Sequence, residues 1–199
     1  TSIIENNRVY GNGSYGIYST GFYSRVSKNT VSNNNQDGIY TTYHHVINDN
    51  VSSSNVDGIR SAGHSVISNN QTGNNSGDGI DVGESSNVFN NTITNSVLVG
   101  LRMSAKSKAR DNIVFSSNDI GISCTTGCEV RGNNVSDGSN YGIQVDDGSI
   151  VDNNRVYNNA SRGITCASCT GVTVSNNNLY SNNGDYAIYV SSGTSTVST

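Results

Sequence analysis

The chain alternates short apolar groups of two to five residues with polar turns rich in Asn, Ser and Gly, and it does so with one recurring phase mark. Gly-Ile stands at Gly16-Ile17, Gly38-Ile39, Gly58-Ile59, Gly79-Ile80, Gly121-Ile122, Gly142-Ile143 and Gly163-Ile164, with Gly100-Leu101 and Ala187-Ile188 completing the series. The spacing is 21 residues, varied only to 22, 20 and 24. A fixed period of this length marks a solenoid. Aligned on the Ile, two further apolar columns appear. Val9, Val31, Val51, Thr72, Ile93, Val114, Val135 and Val156 stand eight residues before it, and Ile4, Val26, Val46, Ile67, Val88, Ala109, Val130 and Val151 thirteen before. The groups are too short for ordinary helices and are β-branched, as strands are.

Three short strands in a turn of about 21 residues predict an all-β, single-stranded parallel β-helix of about nine rungs, each strand pairing with its copy ~4.8 Å away. A leucine-rich repeat is excluded, because Leu occurs only at positions 98, 101 and 179. A polar column keeps the same phase: Asn7, Asn29, Asp49, Asn70, Asn91, Asn112, Asn133, Asn154 and Asn178. Asn tolerates tight turns, and stacked amides can pass hydrogen bonds along a coil. The Gly before each Ile suits either a positive φ or a position where a Cβ would clash. Residues 1–190 are expected to form one β-helical domain, with 191–199 a Ser/Thr-rich tail.

The pattern N-x-V-x-x-N-x-x-x-G-I resembles the right-handed parallel β-helix repeat of the pectate-lyase-like superfamily. That superfamily includes pectinolytic enzymes, alginate epimerases, phage tailspikes and surface proteins. The resemblance covers nearly the whole chain and implies the fold; it is similar above all to non-catalytic repeat regions of such proteins. The enzyme motifs do not carry over. Of the epimerase run Tyr-Gly-Phe-Asp-Pro-His only the opening matches, at Tyr15-Gly16-Ile17-Tyr18. Of the polygalacturonase signatures, Gly63-His64-Ser65 precedes Asp146-Asp147, and Arg-Ile-Lys is missing. The Arg near a proline that pectate lyases use has no counterpart, since the chain has no proline.

Composition narrows the function classes. Only 33% of residues are hydrophobic, which a rung-by-rung core tolerates better than a globule would. A net charge of −4 supplies no basic stripe for nucleic acid, and no apolar run approaches the ~20 residues of a membrane-spanning helix. The chain opens on Thr1, with Ile3 and Ile4 at core-like positions and no capping repeat in view. It is therefore expected to be a processed chain or part of a larger one, or to self-associate through its ends.

Candidate chemistry lies mainly in the first half. Asp37, Asp57 and Asp78 form an acidic column on consecutive rungs, with Asp81 and Glu84 close in sequence. Stacked carboxylates raise one another's pKa or recruit a cation, so Asp57, Asp78 and Asp81 are candidate acid–base groups and Asp37, Asp57 and Asp78 a candidate Ca²⁺ site; no other cofactor is implied. His64 is a candidate general base. His44 falls in a column otherwise filled by Ser2, Ser24, Ser65, Ser86, Ser107 and Ser149. The outward column Tyr18, Tyr40, Arg60, Asp81, Arg102 offers carbohydrate contacts through Tyr18, Tyr40, Arg60 and Arg102, or simply an ion ladder between strands.

Four cysteines form two close pairs, Cys124 with Cys128 and Cys166 with Cys169. Local disulfides fit that spacing, and free buried thiols are the alternative. Disulfides would place the protein outside the cell or on its surface. Two functions follow: a structural or adhesive extracellular β-helix, able to assemble end to end, or a polysaccharide-active or polysaccharide-binding module using the acidic column.

Overall fold

A computed structural model describes residues 2–191 and 193–198. The chain winds as a parallel β-helix of nine rungs, each laying one short strand on each of three sheets. The first sheet has ten strands, from Ile3–Glu5 to Thr196–Ser198. The second runs from Arg8–Tyr10 to Asn178–Tyr180, and the third from Ile17–Ser19 to Ile188–Val190, with nine strands each. Every pairing is parallel and in register with the next rung, as Ile80 with Leu101 and Val88 with Ala109. Residues 191–199, expected as a tail, contribute the strand Thr196–Ser198, which lies against Thr173–Ser175 and continues the first sheet.

Most strands are three residues long with the middle or both outer side chains turned inward, so a thin core runs the length of the coil. Ile39, Ile59, Ile80, Leu101, Ile122, Ile143 and Ile164 form one buried stack, Val26, Ile47, Ile67, Val88, Val130 and Val151 a second, and Val31, Ile93, Val114, Val135 and Val156 a third. Two residues expected inward are not. Val46 is 42% and Val51 41% exposed, and Ile47 and Ser52 take the inward positions. The 20-residue repeat loses its residue in the turn between Asn55 and Ile59, after these strands, so counting back from the Ile shifts both columns by one.

The same shift corrects the polar ladder. Its members are Asn7, Asn29, Asn50, Asn70, Asn91, Asn112, Asn133, Asn154 and Asn177. Asp49 instead takes the left-handed turn position before the ladder, with φ 58°, and Asn178 opens a strand with its side chain exposed. In each rung the backbone N–H and the Nδ2 of one Asn both donate to the Oδ1 of the next, for example Asn91 to Asn112 at 3.0 Å. Nδ2 also donates back to a carbonyl, that of Ile67 in this case. Left-handed residues precede ladder residues throughout, as at Asn6, Lys28, Asn69 and Asn153, which explains the many Asn-Asn pairs: the first turns the chain and the second is buried.

A second ladder runs along the next corner through Asn12, Asn34, Asn55 and Asn75 and reappears at Asn159 and Asn182. It was legible as a column four to six residues before the Ile. The glycines of the Gly-Ile pairs do not have positive φ. They are required for space: a Cβ on Gly79 would lie 2.6 Å from the Gly100 carbonyl oxygen and 2.3 Å from Ile93 Cγ2. Ala187 is tolerated just before the outermost strand of the third sheet, on which no further strand of that sheet stacks among the described residues.

Candidate functional site

Rungs 2–5 of the third sheet gather the acidic column and the outward column into one cluster. Asp37, Asp57 and Asp78 stand in the turn that enters this sheet, and their side chains are almost fully buried. They are buried because they replace backbone partners. Asp37 Oδ1 accepts the Asp57 N–H (3.3 Å), Asp57 Oδ1 accepts the Asp78 N–H (2.7 Å), and Asp78 Oδ1 accepts the Val99 N–H (2.9 Å). The column is thus a carboxylate version of the Asn ladders, one oxygen of each group tied to the next rung.

The second oxygens meet the two arginines. Arg60 reaches Asp37 at 3.7 Å, Asp57 at 3.8 Å and Asp81 at 3.2 Å. Arg102 binds Asp78 through Nε at 2.6 Å and Nη2 at 3.3 Å. Both guanidinium side chains are nearly half exposed, whereas Asp81 is the most accessible of the four carboxylates at 20%. Burial raises the pKa of Asp57 to about 6, and the flanking Asp37 and Asp78 charges add to it against the Asp78 N–H and Arg60. Burial also raises Asp37 and Asp81, with Arg60 opposing it in both. A shallow depression lined by Tyr40, Arg60, Ser61, Ala62, Asp81, Gly83 and Ser104 lies over the cluster. Another, lined by Tyr15, Gln36, Asp37, Val56 and Arg60, adjoins it.

The tyrosines continue this face toward rung 1. Tyr18 and Tyr40 stack with ring centroids 5.2 Å apart and 15° between planes, and Tyr15 tilts against both at about 5 Å. Stacking on the rung repeat turns the faces toward each other, so edges and hydroxyls project outward. At the other end of the sheet Arg162 binds Asp185 through two nitrogens and lies 3.9 Å from the Tyr189 ring centroid.

His64 is not brought to the cluster. It sits at the opposite edge of the sheet, beyond the strand Ile59–Gly63, 3.7 Å from Glu84 and stacked on His44 at 5.0 Å, with Tyr23 beyond His44 at 5.1 Å. His44 does not occupy the Ser column. His45 does: it is 1% exposed, and its N–H donates to Ser65 Oγ at 3.0 Å, as Ser65 does to Ser86 and Ser86 to Ser107. Among the described residues no three His, Cys, Asp or Glu side chains converge to hold a metal ion. The carboxylates of the column are spread one per rung, each holding a backbone N–H.

Disulfides join Cys124 to Cys128 (Cα–Cα 6.4 Å) and Cys166 to Cys169 (5.9 Å), each closing the corner between the third and first sheets. All four cysteines are buried.

With this geometry in hand, the chain belongs to the right handed beta helix region family, which matches residues 1–120 and 99–199. No curated protein sequence matches it. Among solved structures it is similar to the A-module of the Azotobacter vinelandii mannuronan C-5 epimerase AlgE6, with a TM-score of 0.82 at 16% identity. The match covers 99% of this chain and 64% of that one. The Dettilon tailspike protein follows at TM-score 0.72 and 16% identity, over 88% of this chain and 46% of the tailspike. An alginate lyase from Paenibacillus sp. reaches 0.64 at 11% identity, over 96% and 91%. At these identities the likeness is one of fold, and the chain spans under two thirds of the epimerase module.

Proposed function

We propose that this protein binds polysaccharide along the face of its third sheet, over Tyr18, Tyr40, Arg60, Asp81 and Arg102. The carrying observation is that these five residues form one continuous outward column whose charged members are held by buried carboxylates. Arg60 and Arg102 are positioned by Asp37, Asp57 and Asp78 rather than free to wander, so the side-chain entropy of holding them is already spent on folding. Tyrosine hydroxyls, guanidinium N–H groups and the Asp81 carboxylate provide donors and acceptors at intervals of one rung, a spacing near that of successive sugar residues in a chain. The fold neighbours include proteins named as a mannuronan C-5 epimerase, an alginate lyase and a tailspike, which supports a glycan ligand. Two disulfides favour an oxidising, non-cytoplasmic compartment.

The test is retention on soluble polysaccharides in affinity electrophoresis, followed by Tyr40→Ala and Arg60→Ala. Each change is expected to weaken binding at least about tenfold, the loss of ~1.4 kcal/mol. Absence of retention on every neutral and acidic polysaccharide of a broad panel removes the reading.

Turnover is a second reading, favoured by one observation: burial pushes the pKa of Asp57 up to about 6, and Arg60 bridges it to Asp81, the kind of carboxylate pair that acid–base catalysis uses. Asp57 is covered by Arg60, so the accessible partner is Asp81. Release of new reducing or unsaturated ends by wild type, lost in Asp81→Asn, supports it; unchanged polymer length and composition after long incubation rejects it.

A further inference from the structure

His45 stands where six other rungs carry a serine, Ser2, Ser24, Ser65, Ser86, Ser107 and Ser149. Its imidazole is directed into the corner between the third and first sheets and is 1% exposed. The corner around it is lined by hydroxyls: Ser19, Ser24, Thr41, Ser61 and Ser65 are all buried. Nε2 lies 3.4 Å from Thr42 Oγ1, while Nδ1 and the nearby Thr41 Oγ1 have no partner. A buried imidazolium tolerates this worse than the neutral ring, since its charge is desolvated with no carboxylate to pair it and only the Ser24 backbone to favour it.

The charged groups around the corner offer no rescue. On its own turn His45 is flanked by Tyr43 and His44; the preceding rung contributes Tyr23 and the backbone of Ser24; the following rung contributes His64 and Ser65. The one carboxylate at this corner, Glu84, lies against His64, and Glu5 binds Arg25 and Lys28. Among the described residues no carboxylate lies within ion-pair distance of His45.

We propose that His45 makes this corner an acid-sensitive latch: it is closed while the imidazole is neutral, and it opens when the imidazole takes a proton, loosening the strands Ile39–Tyr43 and Ile59–Gly63 that carry Tyr40 and Arg60. Burial lowers the pKa of His45 from the ordinary histidine range; contact with the Ser24 backbone opposes this, and the neighbouring His44 reinforces it. The unfolded or opened chain therefore binds the proton first. Stability supplied by the neutral group is intact above the free-histidine value of about 6.5 and is lost as the pH falls below it. Raised carboxylates elsewhere in these rungs act in the opposite sense. A single wild-type pH curve would thus mix the two, and the comparison must be with a variant at each pH.

That variant is His45→Ser, which restores the residue of the other rungs and so fits the corner. The folding constants of wild type and His45→Ser are measured by denaturant titration from pH 8 to pH 5. The ratio of variant to wild type is expected to be constant above pH 7 and to climb below it, by no more than about tenfold per pH unit, the limit for one linked proton. A ratio that stays flat to pH 5 overturns the proposal. If His45→Ser does not fold, His45→Gln replaces it with the same two outcomes. In the wild-type protein, imidazole NMR shifts are expected to show His45 still neutral at a pH where a free imidazole is protonated; titration as a free histidine overturns the proposal. Amide exchange, corrected for its intrinsic pH dependence, is expected to accelerate at residues 41–46 at pH 5.5 relative to pH 7.5, while exchange at residues 128–135 holds. Equal protection of 41–46 at the two values also counts against it.

Discussion

The same corner of the coil is built in two ways. Thr41, Ser61, Val82, Met103 and Cys124 occupy one column at the end of the third-sheet strands, by direct pairing from rung to rung. His45, Ser65, Ser86, Ser107 and Cys128 occupy the other, across the turn. Thr41 and His45 in the early rungs are therefore the positional counterparts of Cys124 and Cys128 later on, four residues apart in both. In the first region the corner is a set of buried hydroxyls around an imidazole, at the edge of the third sheet opposite the carboxylate ladder. In the second it is apolar and covalently closed. One backbone geometry thus accepts either filling, and the difference lies in what each responds to: protons in the N-terminal rungs, reductant in the C-terminal ones.

The largest effect that sharpens this contrast is expected at the carboxylate ladder. Asp57 has a folded pKa of about 6 against 3.8 for the free group. The folded state then holds more protons on this group between these values, so the contribution of Asp57 to stability is greatest below pH 4 and is lost as the pH rises through 6. Asp57→Asn keeps an acceptor for the Asp78 N–H and removes the titration. It is expected to be more stable than wild type at pH 7.5 by an amount on the order of 3 kcal/mol, vanishing near pH 4; urea titrations at the two pH values check this.

The C-terminal corner should be indifferent to that change and sensitive to reduction. Cys124→Ser together with Cys128→Ser is expected to cost about 2 kcal/mol, the entropy of a short closed loop, with the loss read from the urea midpoint and exceeded by dithiothreitol on the wild type, which also opens Cys166–Cys169. If instead the early corner loses most under reductant, the division of roles is wrong.

Exchanging the fillings breaks the comparison outright. Thr41→Cys with His45→Cys is expected to form a third disulfide, seen as loss of two titratable thiols, and to stabilise the oxidised form by about 2 kcal/mol over its reduced form. The smallest effect is at Thr41 alone. Its hydroxyl is buried without a partner, and Val82 stands two rungs along the same column. Thr41→Val is expected to stabilise by about 1 kcal/mol at any pH, because it removes an unsatisfied group and keeps the shape.

Where the columns of the structure depart from those counted back from the Ile, the departure is one of phase. Repeats of 21 residues fix the columns at Asn70, Asn91, Asn112, Asn133 and Asn154 without ambiguity. The 20-residue and 24-residue units leave open which turn lost or gained residues, and only pairing between strands answers that. Hence Asn50 rather than Asp49, Asn177 rather than Asn178, and His45 rather than His44. The acidic column and the outward Tyr and Arg column were both visible, because a repeat turns linear spacing into vertical alignment. Their union around Arg60 was not: it depends on a long side chain reaching across three rungs. His64, adjacent in sequence to the same rung, ends at the far edge of the sheet because five strand residues separate it from the entering turn.

By itself the sequence determined the parallel coil, its period, its inward Ile and Val stacks, the need for small residues before each Ile and the local pairing available to the cysteines. These follow from local chemistry repeated at constant distance. The tertiary structure decided which residue of an adjacent pair is buried, that the glycines serve space rather than positive φ, and that buried carboxylates hold Arg60 and Arg102. Those are outcomes of contact between rungs, where a side chain's role is set by what stacks one turn away.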